Sequence, residues 1–298
     1  MKYQVLFNPL SGNGRGAEQA HRLDSLMPQD ELVYTDATKI GGYNKWLAPL
    51  TESDKVILCG GDGTINRFIN EVDVETLRPE LLYYATGSGN DFLNDLGKDS
   101  SSLPFPLAPY VKDLPTVTVD GKSMKFLNGI GYGLDGYCCE EGDRVRENSE
   151  KKVNYTAIAI RGLMYAYKRR NATVTVDGRK QSFRRVWMAP TMNGRFYGGG
   201  MMIAPAQDRL SAERSVSCVV VSRTGKLKTL IRFPKVFNGE FTDYADMVDT
   251  LCGHTIKVEF DRPTALQVDG ETIVGVTSYE VCSPVVAPTA PQEEAIAV

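Results

Sequence analysis

Apolar and polar positions along the first third of the chain repeat one unit: a short apolar run, a polar or glycine-rich loop, then helical spacing. "YQVLFN" leads to "PLSGNGRG" and predicts a helix over 17–26, and "ELVYTD" passes through "ATKIGG" to a helix over 43–50. "KVILCG" passes through "GDGT" to a helix in which Ile65, Phe68, Ile69 and Val72 recur at i, i+3, i+4 and i+7. "ELLYYA" passes through "TGSGND" to a short helix ending near Gly97. Strands alternating with helices imply a parallel sheet with helices on its faces. Ligands of such sheets gather outside the carboxyl ends of the strands. The loops beginning at Asn8, Thr35, Gly60 and Thr86 are therefore expected to converge.

From about residue 115 the period changes. "TVTVDGKSMKFLNGIG", "ATVTVDGRKQSFRRVWMAP" and "TALQVDGETIVGVTSYEV" each alternate strand residues around Asp-Gly, the strongest short hairpin signal. Helical spacing interrupts them at 151–169 and 226–238. The fold class expected is α/β: an N-terminal parallel-sheet domain over 1–115 and a second, mostly antiparallel, β-sandwich-like domain over 116–282. "SSSLPFPLAP", residues 100–109, reads as the connection, and 283–298 as a loose tail rich in Pro and Ala.

Composition narrows the class. At 42% hydrophobic and 24% charged residues the chain has material for two cores. Six cysteines without a C-x-x-C pair, and two histidines, argue against a zinc site or a disulfide framework. "MKYQVLFNP" enters a strand at once, and no apolar run approaches a membrane span, so the expectation is a cytoplasmic protein, at most peripheral at the inner membrane face. The net charge of −3 hides an asymmetry: residues 144–235 hold 20 Lys/Arg against 5 Asp/Glu, and both flanks are acidic. Either this basic middle meets an anionic partner or it is a solvated surface spread around the fold.

"GNGRGA" lacks the spacing of G-x-G-x-x-G, and no G-K-[ST] follows a glycine cluster. Ser88 has no G-x-S-x-G frame, and only His21 and His254 could assist it as a nucleophile. "GGDGT" remains. Its glycines let main-chain N–H groups approach an anion, and the following helix turns its positive end toward it. The plainer reading is a turn in which Asp62 caps the helix. Two further small-residue loops at equivalent strand ends, "NPLSGNGRG" and "TGSGND", weigh against that reading.

"NPLSGNGRG", "GGDGTIN", "TGSGNDF", "FLNGIGYGLDG", "YGGGMMIAP" and "VDGE" follow in the order and spacing of the diacylglycerol kinase catalytic family, which the chain resembles over about residues 2–282. The family includes bacterial lipid kinases and sphingosine and ceramide kinases, and is related to NAD kinases and phosphofructokinases. The resemblance implies an ATP-dependent phosphotransferase with an alcohol acceptor, using Mg²⁺ and phosphorylating a lipid such as diacylglycerol in an interdomain cleft. It places ATP against Asn8, Thr35, Gly60, Gly61, Asp62, Gly63, Thr64, Ile65, Asn66, Ser88, Asn90 and Asp91. Across the cleft it implies Asp269 or Glu271 beside the acceptor, the glutamate being the family's proton acceptor, with Asp62 the third catalytic carboxylate. A structural Mg²⁺ site is implied at Leu210, Glu213 and Ser215, two of them through main-chain carbonyls.

The chain departs from the family's pattern in three places. Arg67 stands where glutamate is usual after "GGDGTIN", and "ATGSG" replaces Pro-x-Gly-Thr. "LSAERSV" replaces the metal-binding Asp-Asp-Gly-Leu, so Glu213 keeps an oxygen ligand on a longer arm while Arg214 brings a competing cation. "GKLKTLIRFPKVF" reads as an interfacial segment steered by anionic phospholipid, or as a helix packed on its own sheet with a basic outer face. The implied partner is a lipid at a membrane surface; no nucleic-acid motif is present, and a homodimer stays open. A kinase of a soluble substrate (NAD or a sugar) and a nucleotide-binding regulator without turnover are the rival readings.

Overall fold

The computed structural model describes residues 1–87, 89–148 and 153–284. Its first sheet holds β1 (Lys2–Phe7), β2 (Glu31–Asp36), β3 (Lys55–Gly60), β4 (Glu80–Ala85) and β5 (Phe105–Pro106) in the order β2-β1-β3-β4-β5. The first four are parallel and β5 is an antiparallel edge. On β3, Val56 and Leu58 face a core with Ile65, Phe68, Tyr83 and Phe92, while Ile57 and Cys59 face Val5 and Leu23 on the other side. A strand covered on both faces reads as a continuous apolar run, which is why "KVILCG" shows no alternation.

The helix after "GDGT" is Asp62–Glu71, with Ile65, Phe68 and Ile69 buried as their spacing requires. Other helices of this domain are shorter than expected. The stretch 17–26 breaks into Gly16–Ala20 and Leu23–Leu26, and 43–50 yields Tyr43–Leu47. The connection expected at 100–109 is partly core: β5 pairs with Leu82 and Tyr83, and Leu107, Val111 and Leu114 are buried with the first domain.

Beyond it run β6 (Thr116–Val119), β7 (Lys122–Lys125), β8 (Gly129–Tyr132), β9 (Arg170–Val176), β10 (Arg179–Val186), β11 (Thr191–Met192), β12 (Phe196–Tyr197), β13 (Met201–Met202), β14 (Val216–Val221), β15 (Val248–Gly253), β16 (Thr255–Val268) and β17 (Glu271–Cys282). The three Asp-Gly pairs expected to turn hairpins do so with both residues at positive φ: Asp120/Gly121, Asp177/Gly178 and Asp269/Gly270. The long β16 serves two layers. Residues 256–260 pair with β9 and residues 266–268 with β8, with register shifts between them. The two layers close over Tyr132, Val258, Phe260, Leu266 and Tyr279, and Tyr132 stacks on Phe260 at 4.1 Å between ring centroids. The fold is thus a parallel α/β domain joined to an antiparallel, sandwich-like one.

The helix Leu134–Asn148 was not anticipated. The helical stretch expected at 151–169 is, where described, Tyr155–Arg161 followed by one π-turn at Gly162–Ala166. That at 226–238 is Lys226–Arg232 continued by a 3₁₀ segment, Phe233–Asn238. Residues 285–298, most of the expected tail, lie outside the described residues. Among the described residues no helix is long and apolar enough to cross a membrane.

Candidate active site

Loops at the carboxyl ends of β1, β3 and β4 are pinned to one another. Asn8 donates its main-chain N–H to the Cys59 carbonyl (3.0 Å) and its side-chain amide to Thr64 Oγ1 (3.1 Å). Ser11 Oγ donates to the Asn8 carbonyl and lies 2.8 Å from Thr86 Oγ1. Thr35 sits one strand further out, opposite Leu6 and partly buried. Ser88, expected among the nucleotide contacts, lies outside the described residues.

The glycines divide into two groups. A Cβ on Gly87 would come within 2.5 Å of Gly61 Cα, and one on Gly60 would run into the Thr64 side chain, so these positions are glycine for packing. Gly63 and Gly89 are exposed, and a Cβ on either would meet nothing within 4 Å. Packing does not ask for glycine there; room for a ligand to reach the main chain does. Ile65 is in the core, so only its main chain can face a ligand. Asn90 Oδ1 is buried without a hydrogen-bond partner among the described residues.

Three carboxylates meet where the domains join. Asp62 Oδ2 accepts from the main-chain N–H groups of Asp91 (2.8 Å) and Phe92 (3.4 Å) and from the Asn128 side-chain amide (3.1 Å). Asp62 therefore caps the neighbouring helix Asp91–Asp95, and no side chain caps its own. Its Oδ1 is buried and unpartnered among the described residues. Asp91 accepts from the main-chain N–H groups of Gly199 (2.8 Å) and Gly200 (2.6 Å) in the second domain. Asp269 accepts from the Asn66 amide (2.8 Å) and from the main-chain N–H groups of Leu127 (2.5 Å), Asn128 (2.8 Å) and Gly129 (3.0 Å). Burial raises all three above the usual carboxylate range. Asp62 is pushed up to about 7, with the charges of Asp91 and Asp269 adding to burial. Main-chain N–H groups pull Asp91 and Asp269 back down.

Glu271 opens β17 and pairs there with Val268, its side chain exposed and without a hydrogen bond or ion pair among the described residues. The Asp269 contacts hold its turn against the helix Asp62–Glu71, which places Glu271 two residues from the junction. Arg67 is exposed on that helix.

Asn128 extends the junction. Its amide donates to Asp62 while its carbonyl oxygen accepts from Arg209 Nη2 (3.0 Å). Arg209, only 5% exposed, also binds Asp95 through Nε, donates to the Leu127 carbonyl (3.2 Å) and lies over the Phe92 ring. Arg195 Nε reaches the other Asp95 oxygen at 2.8 Å. Asp95, from the first domain, is thus buried between two guanidinium groups of the second. Sequence reading named none of Asn128, Asp95, Arg195 and Arg209. Asn128 stood inside the quoted "FLNGIGYGLDG", as Gly199 and Gly200 stood inside "YGGGMMIAP". Asp135, in the same "FLNGIGYGLDG", is pushed up to about 7 by burial, against a smaller downward pull from the neighbouring Tyr197 hydroxyl.

The loop expected to hold a structural metal is closed on itself. The Glu213 carbonyl is taken by His254 Nε2 (2.7 Å) and the Ser215 carbonyl by the Gln207 amide (2.8 Å). Arg214, at φ 52°, donates to the Arg209 carbonyl at 2.6 Å. Leu210 and the Glu213 side chain are exposed. With the Ser215 carbonyl bonded, the Glu213 side chain exposed and the Arg214 guanidinium among them, the loop does not fit a structural Mg²⁺ at Leu210, Glu213 and Ser215. Among the described residues no group of three His, Cys, Asp or Glu is placed to hold a metal. At the glycine loops the case differs: Asp62 Oδ1 is a free oxygen in a crowd of negative charge, and Mg²⁺ is commonly held by one or two carboxylates plus substrate phosphates.

Glycine loops at the ends of a parallel sheet are locked through carboxylates to an antiparallel sandwich, a two-domain α/β architecture with its candidate site at the junction. Residues 2–108 match the diacylglycerol kinase catalytic domain, and residues 128–290 match the YegS C-terminal NAD kinase beta sandwich-like domain. The chain belongs to the diacylglycerol kinase and NAD kinase-like family. It is 26% identical over 271 residues to a diacylglycerol kinase of Mycobacterium tuberculosis (strain CDC 1551 / Oshkosh), covering 87% of this chain and 85% of that protein. A diacylglycerol kinase of Bacillus subtilis (strain 168) is 34% identical over 100 residues, 32% of each chain. The crystal structure of a diacylglycerol kinase from Bacillus anthracis str. Sterne superposes with a TM-score of 0.62 at 19% identity, covering 95% of this chain and 94% of that one. At that identity the likeness speaks to the fold alone.

Proposed function

We propose that the chain is an ATP-dependent lipid kinase, moving the γ-phosphate of ATP to an alcohol group of a lipid such as diacylglycerol between its two domains. The observation that carries this reading is Asp62, a buried carboxylate with one free oxygen at a helix N-terminus, between loops in which Gly63 and Gly89 leave open space. A phosphate entering that space meets main-chain N–H groups and the positive helix end. Asn8 and Asn90 lie on the surrounding loops, Thr35 near the end of β2 one strand further out, and Asp91 holds the second domain's Gly199 and Gly200 against these loops.

Phosphoryl transfer asks the protein mainly for position and charge, and for a carboxylate near the acceptor hydroxyl. Asp269 has donors at all four of its acceptor positions and serves as a strut. Glu271 is free and takes the acceptor's proton in this reading. Mg²⁺ bound with ATP would neutralise phosphate charge, and Asp62 Oδ1 is the protein oxygen offered to it. The test is transfer from labelled ATP with Mg²⁺ to extracted membrane lipids, diacylglycerol micelles, NAD and sugars in parallel. Label in lipid alone supports the proposal. Label in NAD or a sugar replaces it with a soluble-substrate kinase, and ATP binding without any labelled product replaces it with a regulator.

A further inference from the structure

Five large apolar side chains stand in water on neighbouring elements of the second domain. On the helix Lys226–Arg232, Thr229 is buried and Leu230 packs against the core, while Leu227 and Ile231, four residues apart on one face, are 66% and 68% exposed. In the 3₁₀ segment that follows, Val236 is buried and Phe237 is 53% exposed. Lys226 Nζ donates to the Met164 carbonyl and so brings the π-turn alongside, where Tyr165 is 81% exposed. Ile160 adds a fifth from the helix Tyr155–Arg161, which buries none of its residues. The outer face of the 226–232 helix is therefore mixed: Lys226 and Lys228 are exposed on it, as the basic outer face offered from the sequence requires, and Leu227 and Ile231 stand exposed beside them.

A seven-residue helix without a buried side chain is marginal in water and gains when something covers it. Clustered exposed apolar side chains with a polar rim mark an interaction surface. The rim here is cationic: Arg161, Lys168, Lys226, Lys228, Arg232 and Lys235 lie on the same elements or directly beside them in the chain. Asp246 pairs with both Lys228 and Arg232, and Glu240 with Lys235, so the rim keeps a positive excess. Arg161 and Lys168 have no carboxylate partner among the described residues. A second copy docked face to face across a two-fold axis would set this rim against itself, whereas an anionic lipid headgroup layer complements it.

We infer that this platform is a docking surface for an anionic bilayer, with Tyr165, Leu227, Ile231 and Phe237 entering the headgroup boundary and the cationic rim lying on the phosphates. The identity of the partner rests on the lipid-kinase reading. Vesicle flotation of the full chain without ATP tests it, using phosphatidylcholine vesicles with and without phosphatidylserine. The wild-type chain is expected to float with the anionic vesicles and less so in high salt. Leu227→Gln with Ile231→Gln is expected to cut partitioning about tenfold or more, and Tyr165→Ser to cut it less, with unchanged thermal melting as the check on folding. Equal flotation of wild type and variants, or no flotation of the wild type, overturns the inference. So does a dimer in sedimentation that the double variant dissolves, which would make the face a protein interface. Turnover of a short-chain soluble acceptor is read separately. Turnover without flotation overturns the docking surface alone, and flotation without any turnover leaves the surface standing while the kinase reading fails.

Discussion

Asp269 accepts a hydrogen bond from the Asn66 side-chain amide at 2.8 Å, joining residues 203 apart in sequence and one domain to the other. The same carboxylate accepts three main-chain N–H groups at Leu127, Asn128 and Gly129. Asp269→Asn would turn an amide NH₂ toward donors. It is expected to lower unfolding stability by about 1–3 kcal/mol in denaturant titration, the cost of leaving buried donors unpaired. Glu271→Gln breaks no such bond. Its melting should match wild type while kcat falls about 10²- to 10⁴-fold, the range for a positioned general base. A Glu271→Gln protein with full turnover would remove Glu271 from the chemistry.

Burial, with the charges of Asp91 and Asp269, pushes Asp62 up to about 7, so it gains a proton as pH falls through that value. The protonated form cannot serve a cation or repel its neighbours. kcat/KM for ATP, which reports ionisations of the free enzyme, is expected to fall as pH drops below about 7. Asp62→Asn should lie far lower and lose that limb. An unchanged limb in Asp62→Asn would assign it to another group.

How much of this was legible in the chain follows from which interactions are local. The three hairpins were legible because an Asp-Gly pair accepts the positive φ of a tight turn, and all three turns have it. The parallel sheet was legible from strands alternating with helical spacing, and Asp62 from the glycine loop around it, whereas Asp91 was named only through the family resemblance. The helix Leu134–Asn148 was not, because it buries Leu134, Gly136 and Gly142 rather than an apolar stripe. Gly136 lies hard against the Ala265 carbonyl, a contact that small residues make and hydropathy does not register. Asp95 and Arg209 are 114 residues apart, and no local pattern announces such a partner.

The closed loop around Arg214 leads to a prediction about metal. Since Gln207 already occupies the Ser215 carbonyl and Arg214 brings a guanidinium into the loop, a chelator should leave the thermal midpoint of the ATP-free protein unchanged. Arg214→Ala should lower stability by about 1 kcal/mol, one charge-assisted hydrogen bond on a partly exposed side chain. Titrating Mg²⁺ into ATP-free protein should give no saturable heat. A midpoint that drops with chelator and returns with Mg²⁺ would show that the loop holds a cation after all.

Asp135 supplies a stability test that is independent of turnover. Burial pushes it up to about 7 from an ordinary value near 3.8, so the folded chain binds a proton there that the unfolded chain has released. The stability contributed by the neutral buried carboxyl is fully present below about pH 4 and is lost as pH rises through about 7. Asparagine keeps the shape and stays neutral at every pH. Asp135→Asn should therefore match wild type near pH 4 and exceed it near pH 8, by up to about 4 kcal/mol if the whole shift is expressed. Thermal melts of both proteins across that range check the sign. A variant less stable than wild type at pH 8 would mean that the charged carboxylate has a partner in the fold, and the neighbouring Tyr197 hydroxyl would be the first group to replace with Phe.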